Sequence, residues 1–203
     1  MSRVFGLDRG QCIDRYYIER FLEAHARDIR GVVLEIGDNA YTLRFGRDRA
    51  TKSEVLHIET GHPNATIVAD LADGQGLPVE GFDCIVVTQT LQFIYDVRAA
   101  MRNLHRGLRR GGVVLATLPG ISQISRFDMD RWGEYWRFTT LSARRLFEEA
   151  FAPASVSVEA HGNVLAAGAF LHGLAAEELR PEELDHHDPD YQLLITVRAV
   201  KGE

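Results

Sequence analysis

Three carboxylates occupy comparable places along the chain. Glu35 sits in the run Gly31-Val32-Val33-Leu34-Glu35-Ile36-Gly37, Glu59 follows Glu54-Val55-Leu56-His57-Ile58, and Asp70 follows Ala65-Thr66-Ile67-Val68-Ala69. A short apolar or β-branched run closed by a glycine or an acid reads as a buried parallel strand feeding a turn. In a doubly wound sheet such turns share one crevice at the carboxyl ends of the strands. An acid after the second strand can accept from both hydroxyls of a ribose, and one after the third from the exocyclic amine of a nucleobase. Gly37 lets a ligand approach the backbone with no side chain between. Glu35 is a charge inside an apolar strand and needs a partner. It either pins the following loop or helps organise the ligand site. Each acid taken singly also reads as a turn residue or a helix cap.

A pyrophosphate site would carry Gly-x-Gly-x-x-Gly at the mouth of a helix. Here Gly37 is followed by Asp38-Asn39-Ala40-Tyr41, with no second glycine before Gly46. Asp38 would put negative charge where a diphosphate should lie, and is better suited to accept from a ligand ammonium group. The residues favour a nucleoside bearing a cationic tail, which leaves a nucleotide-dependent oxidoreductase as the weaker alternative.

The elements that must position these groups follow from periodicity. Ile13, Tyr17, Ile18, Phe21, Leu22 and His25 recur at helical spacing and predict an amphipathic helix over 13–28 within an N-terminal helical segment, 1–30. Strands are expected at 31–36, 54–58, 65–69, 82–88, 113–118, 154–160 and 192–200. A short helical stretch over 39–46 has Gly46 as its C-terminal cap. Asp96 caps a helix through Leu108, Ser142 caps another through Phe151, and 163–176 forms the last. Residues 121–141 lack clean periodicity and read as an insertion on the acceptor side. Alternation of strands and helices, then a terminal strand–helix–strand, implies an α/β domain spanning 1–203 with helices on both faces of a mostly parallel sheet. The charged link 177–190 makes the final strand a candidate for antiparallel insertion.

Composition narrows the partners. With 203 residues, 45% hydrophobic and 26% charged, the chain suits an ordinary globular domain with a sizeable core. A net charge of −6 argues against a nucleic-acid partner, which needs a basic face. Cys12 and Cys84 give neither a disulfide framework nor a zinc spacing. No signal-peptide core and no membrane-spanning run are found, so a cytoplasmic protein is expected.

Several of these segments together resemble the successive motifs of class I S-adenosylmethionine-dependent methyltransferases. They are Leu34-Glu35-Ile36-Gly37, the acid Glu59, Ala69-Asp70-Leu71, Phe82-Asp83-Cys84-Ile85-Val86-Val87, and Leu108-Arg109-Arg110-Gly111-Gly112-Val113-Val114-Leu115. Trp136-Arg137-Phe138-Thr139 is similar to a segment of the small-molecule branch. The resemblance implies a Rossmann-like fold with a seven-stranded sheet in the order 3-2-1-4-5-7-6, and S-adenosyl-L-methionine as cofactor. It implies that Glu35 and Gly37 form the first motif, that Glu59 holds the ribose, and that Asp70 and Leu71 flank the adenine, with Asp38 beside them in the cofactor site. Thr88 to Gln92, with Thr88 and Gln89 foremost, would lie beside the methionine part and the acceptor. The N-terminal Arg15, Tyr16 and Tyr17 would close over the cofactor, or the tyrosines would simply be packing. The family's Gly-x-Gly-x-Gly is altered here to Gly37-Asp38-Asn39-Ala40-Tyr41, where Asn39 is a residue that tolerates left-handed backbone. Similar domains occur beside glycosyltransferases, so the resemblance implies a small-molecule acceptor such as a sugar or secondary-metabolite hydroxyl. It also allows a homodimer or a glycosyltransferase-associated partner.

On the acceptor side, Trp132, Tyr135 and Trp136 could stack on a ring, while Arg131 or Arg137 could hold a carboxylate or phosphate. They could equally be the packing of a folded loop. His161, ending the sixth strand, is the candidate general base for a hydroxyl acceptor, or else a strand-end histidine bonded to its neighbours. His186, His187, Asp188 and Asp190 read as a solvated cluster rather than a metal site. The altered glycines leave open a non-catalytic methyltransferase-like module acting in binding.

Overall fold

The computed structural model describes residues 1–202. The chain runs through α1 (Ile13–Ala24), β1 (Gly31–Ile36), β2 (Ala50–His57), β3 (Ile67–Val68) and β4 (Phe82–Thr88). It continues through α2 (Val97–Gly107), β5 (Leu108–Pro119), α3 (Arg126–Trp132), α4 (Thr140–Glu148), β6 (Val156–His161), α5 (Val164–Leu171), α6 (Pro181–Asp185) and β7 (Leu194–Val200). The seven strands form one sheet in the order β3-β2-β1-β4-β5-β7-β6. β1 pairs in parallel with β2 and β4, β2 with β3, and β4 with β5, whereas β7 runs antiparallel between β5 and β6. Fold class, strand order and antiparallel insertion are those the sequence leads one to expect.

The two central strands show why the sheet is buried on both faces. Phe82, Ile85 and Val87 of β4 and Val114 and Ala116 of β5 join the core under α2 and α4, with Met101, Leu104 and Phe147. Their neighbours Cys84, Val86, Val113 and Leu115 point the other way, onto Ile18, Phe21 and Leu22 of α1 and Phe170 of α5. Side chains alternate across a strand, so an unbroken apolar run supplies two cores at once. Cys84 is accordingly a fully buried core residue.

Local chemistry sets the ends of the elements. Gly31 opens β1 at φ +67°, where a Cβ would fall 2.2 Å from the Asp83 carboxylate that accepts the Val32 N–H. Asp96 caps α2 by accepting the Ala99 N–H at 3.0 Å. Thr139, not Ser142, caps α4. Ser142 is the reciprocal partner of a capping box, its hydroxyl accepting the Thr139 N–H.

Elsewhere boundaries move. The stretch expected as helix over 39–46 is a wide π-type turn at Thr42–Gly46 followed by a tight turn at Arg47–Arg49. β2 begins four residues early and ends at His57, and β3 keeps only two residues of its expected five. The segment 121–141 contains α3, which buries none of its residues and so lacks the apolar periodicity that would announce it. The expected helix 163–176 stops at Leu171, and the link 177–190 holds α6. Among the described residues no helix is long and apolar enough to cross a membrane.

Candidate functional site

A cavity of about 510 Å³ lies at the carboxyl ends of β1, β2 and β4, with α1 and the 121–141 segment over it. That is the crevice a parallel sheet leaves where the strand order reverses, here between β1 and β4. At the end of β1, Gly37 takes φ +89° and donates its N–H to Leu56 O at 2.9 Å. A Cβ on Gly37 would meet nothing within 4 Å, so the backbone is open to a ligand. Gly37 alone makes the turn. Asn39 is not left-handed; its amide donates to Ser53 Oγ, and Asp38 accepts the Ala40 N–H.

Glu35 lines the cavity but its carboxylate is already engaged. It accepts from the Thr42 N–H and hydroxyl, both at 2.7 Å, and from the Tyr41 N–H at 3.2 Å. The pinning of the next loop is therefore what its contacts show. Burial pushes its pKa up to about 7, against the lowering effect of those donors. Asp70 and Leu71, which follow β3, both line the cavity, Leu71 as buried apolar wall and Asp70 exposed. One Asp70 oxygen accepts the Ala72 N–H at 2.7 Å.

Glu59 is placed otherwise than the sequence suggests. β2 ends at His57, the chain turns with the Glu59 N–H donating to His57 Nδ1 at 3.0 Å, and the exposed Glu59 lies outside the cavity lining. His57 and Ile58 line the cavity at this strand end instead. Two of the three strand-end acids thus share one pocket.

Beyond β4, Thr88, Gln89, Thr90 and Gln92 line the cavity. Gln89 is a non-glycine at φ 47°, held by its N–H donating to Thr117 O at 3.0 Å. A backbone kept in a sparsely populated region commonly marks a functional turn. Gln92 is 3% exposed, and its Oε1 has no hydrogen-bond partner.

The cover comes from three segments. From α1, Asp14, Arg15 and Ile18 face the cavity, while Arg15 also donates to the Tyr41 hydroxyl at 2.6 Å. Tyr17 does not face it. Its hydroxyl donates to Leu184 O on the far side of α1, and the neighbouring Tyr16 hydroxyl bonds Asp185. Cys12, with a thiol pushed by burial up to about 11, lines the cavity with Phe5 and Leu7.

From the 121–141 segment come Ser122, Ser125, Asp128, Trp132 and Glu134. Of the residues of this segment expected to touch an acceptor, Trp132 alone faces the cavity; its buried Nε1 has no partner. Arg131 stacks on the Phe127 ring at 3.4 Å. Tyr135 and Trp136 pack on Tyr95 outside the cavity. Arg137 pairs with Glu134 at 2.6 Å and donates to Gln123 O at 2.8 Å, so it braces the segment. Of the two readings the sequence left open for these aromatics, Tyr135 and Trp136 follow the second and pack within the cover.

His161 is also elsewhere. It lines a second cavity beside β6 with Tyr17, on whose ring it stacks, and its Nε2 lies 2.9 Å from Thr196 Oγ1. Burial lowers its pKa. It cannot serve as a base in the first cavity. Among the described residues no group of three or more His, Cys, Asp and Glu could hold a metal ion.

The first cavity's charge is lopsided. Asp14, Glu35, Asp38, Asp70, Asp128 and Glu134 line it against one arginine, Arg15. An acid-rich crevice with an open glycine turn thus lies at the switch point of a 3-2-1-4-5-7-6 sheet. Residues 20–116 match the family model described as a methyltransferase domain. No curated protein matches the sequence.

Solved structures agree on the fold. A SAM-dependent methyltransferase from Archaeoglobus fulgidus is 12% identical, with a TM-score of 0.59 over 92% of this chain and 94% of its own. The N-methyltransferase NodS from Bradyrhizobium japonicum, solved with S-adenosyl-L-homocysteine, is 15% identical, with a TM-score of 0.57 over 96% and 90%. The [4+2]-cyclase SpnF is 16% identical, with a TM-score of 0.56 over 96% and 84%. At such identities the likeness is one of fold, and the cyclase illustrates that a fold hosts more than one chemistry. The domain match and the motifs together support an S-adenosylmethionine-dependent methyltransferase.

Proposed function

We propose that the protein binds S-adenosyl-L-methionine in the cavity at the ends of β1, β2 and β4 and transfers its methyl group to a small-molecule acceptor. The observation that carries this reading is the acid-rich lining around an open Gly37. A donor with a sulfonium and an ammonium group suits such a wall, whereas a diphosphate would meet Asp38 and Asp70 with only Arg15 to offset them. The donor when bound supplies a methyl group on an already activated carbon. What remains for the chain is to bind, align and exclude water.

Gly37 gives backbone access, and Asp70 with Leu71 provides a polar edge and an apolar wall for the base. His57, rather than Glu59, is the polar group at the end of β2, where a ribose would lie. Asp14 and Asp38 attract the cationic tail. α3 and Trp132 close the acceptor side, and the cavity is of a size for two small molecules in contact.

The test is thermal unfolding with S-adenosylhomocysteine and, separately, with NAD. Binding to the native state alone raises the midpoint with occupancy. A rise of several degrees with S-adenosylhomocysteine and none with NAD is expected; the opposite pattern would overturn the reading.

A further inference from the structure

We infer that Gln92 determines the class of acceptor: its side-chain oxygen receives a hydrogen bond from an N–H of an amine nucleophile. This rests on the donor assignment above and concerns the same cavity. Gln92 stands on the tight turn Leu91–Phe93 that follows β4. Its side-chain amide donates through Nε2 to Gln89 Oε1 at 3.2 Å, and its backbone carbonyl accepts the Tyr135 N–H at 2.8 Å. Gln89 is in turn locked by its left-handed backbone and its bond to Thr117 O. One group of Gln92 is left over. Oε1 is buried, lines the cavity and has no donor. Buried acceptors are almost always paired, and an orphan at a cavity wall marks the place of a ligand donor.

The rest of the wall says what kind of donor it is. An amide oxygen accepts a hydrogen bond but does not take up a proton near neutral pH. A hydroxyl nucleophile needs a base to receive its proton; Asp14, Asp38, Asp70 and His57 of the lining are committed to the donor in the reading above, and the remaining carboxylates are occupied. Glu35 holds three donors, Glu134 is paired with Arg137 and accepts the Ser125 N–H, and Asp128 accepts the Ser125 hydroxyl at 2.6 Å. His161 lies in the other cavity.

A free amine needs no base at the moment of attack. Its lone pair forms the N–C bond while the S–C pair stays on sulfur, leaving a thioether. The positive charge passes from sulfur to nitrogen, and the resulting ammonium then loses one proton to solvent. Throughout, Gln92 Oε1 has an N–H to accept, and the acid-rich wall faces a cation before and after transfer.

Sinefungin tests this, because it carries a primary amine on carbon where the donor carries its methyl sulfonium and so presents N–H groups at the point where donor and acceptor meet. S-Adenosylhomocysteine has a bare thioether there. Calorimetric dissociation constants for both are measured on the wild type, Gln92→Leu and Gln92→Glu. The wild type is expected to favour sinefungin about tenfold. Gln92→Leu should bring the ratio near one with S-adenosylhomocysteine affinity kept within about threefold, and Gln92→Glu should raise the ratio above that of the wild type. A ratio indifferent to position 92 would overturn the inference while leaving the donor assignment intact. Should Gln92→Leu fail to fold, an unchanged ratio in Gln92→Glu has the same force. Failure of the wild type to bind S-adenosylhomocysteine would overturn the donor assignment, and this inference with it.

Discussion

The helix α1 separates two cavities that differ instructively. Asp14, Arg15 and Ile18 face the cavity at the strand ends, while Tyr17, Arg20, Phe21 and Ala24 face the one beside β6. The second is the richer in histidines, with His25, His161, His186 and His187 in its lining. Yet its groups are engaged with the protein itself. His161 meets Thr196, Tyr17 holds Leu184 O, and Arg20 pairs with Asp185. The first has one histidine, His57, but leaves Gln92 Oε1 and Trp132 Nε1 without protein partners and the turn at Gly37 open to a ligand. Unmet hydrogen-bonding capacity, rather than a census of titratable residues, distinguishes a site for ligands from a packed seam.

The largest effect that would sharpen this contrast belongs to Glu35. As an acid whose folded pKa is raised to about 7 by burial, it favours the folded state most below its unfolded value near 4.5, and that contribution is lost as pH rises to about 7. Without ligand, stability measured by urea unfolding should fall by up to about 3 kcal/mol across that window through this group. Glu35→Gln should flatten that fall. A slope unchanged by the substitution would show that the Thr42 bonds keep the carboxylate ionised throughout.

The smallest expected effect is on the other side of α1. His161→Gln should leave S-adenosylhomocysteine affinity within about twofold, because position 161 does not line the strand-end cavity. A loss of tenfold or more would break the contrast, linking the two cavities through α1.

How much of this was legible beforehand depends on what the sequence encodes locally. The sheet was, because β1, β4 and β5 are nearly continuous apolar runs and each neighbouring turn carries its own glycine or cap. The pocket was legible at Gly37, Asp70 and Leu71, which lie at or just past strand ends. Glu59 lies outside the cavity lining because β2 ends one residue sooner than expected, at His57, and the chain then turns. For His161 and Tyr17 the sequence left a functional and a packing reading open, and the choice depends on β7 inserting between β5 and β6 and on α6 coming to rest against α1. The cover was the least legible part. α3 buries nothing, so neither periodicity nor composition foretold that Trp132 would face the cavity while Tyr135 and Trp136 would pack on Tyr95.

The account stands on the strand-end cavity being the place where an adenosyl donor sits. Calorimetric titration of S-adenosylhomocysteine into the wild type and Gly37→Val tests it most directly. Position 37 has left-handed backbone and open space before it, so a side chain there is both strained and in the ligand's way. Binding at one molecule per chain in the wild type, weakened about a hundredfold or more in Gly37→Val, is the predicted result. Equal binding by both proteins, or none by the wild type, would contradict it.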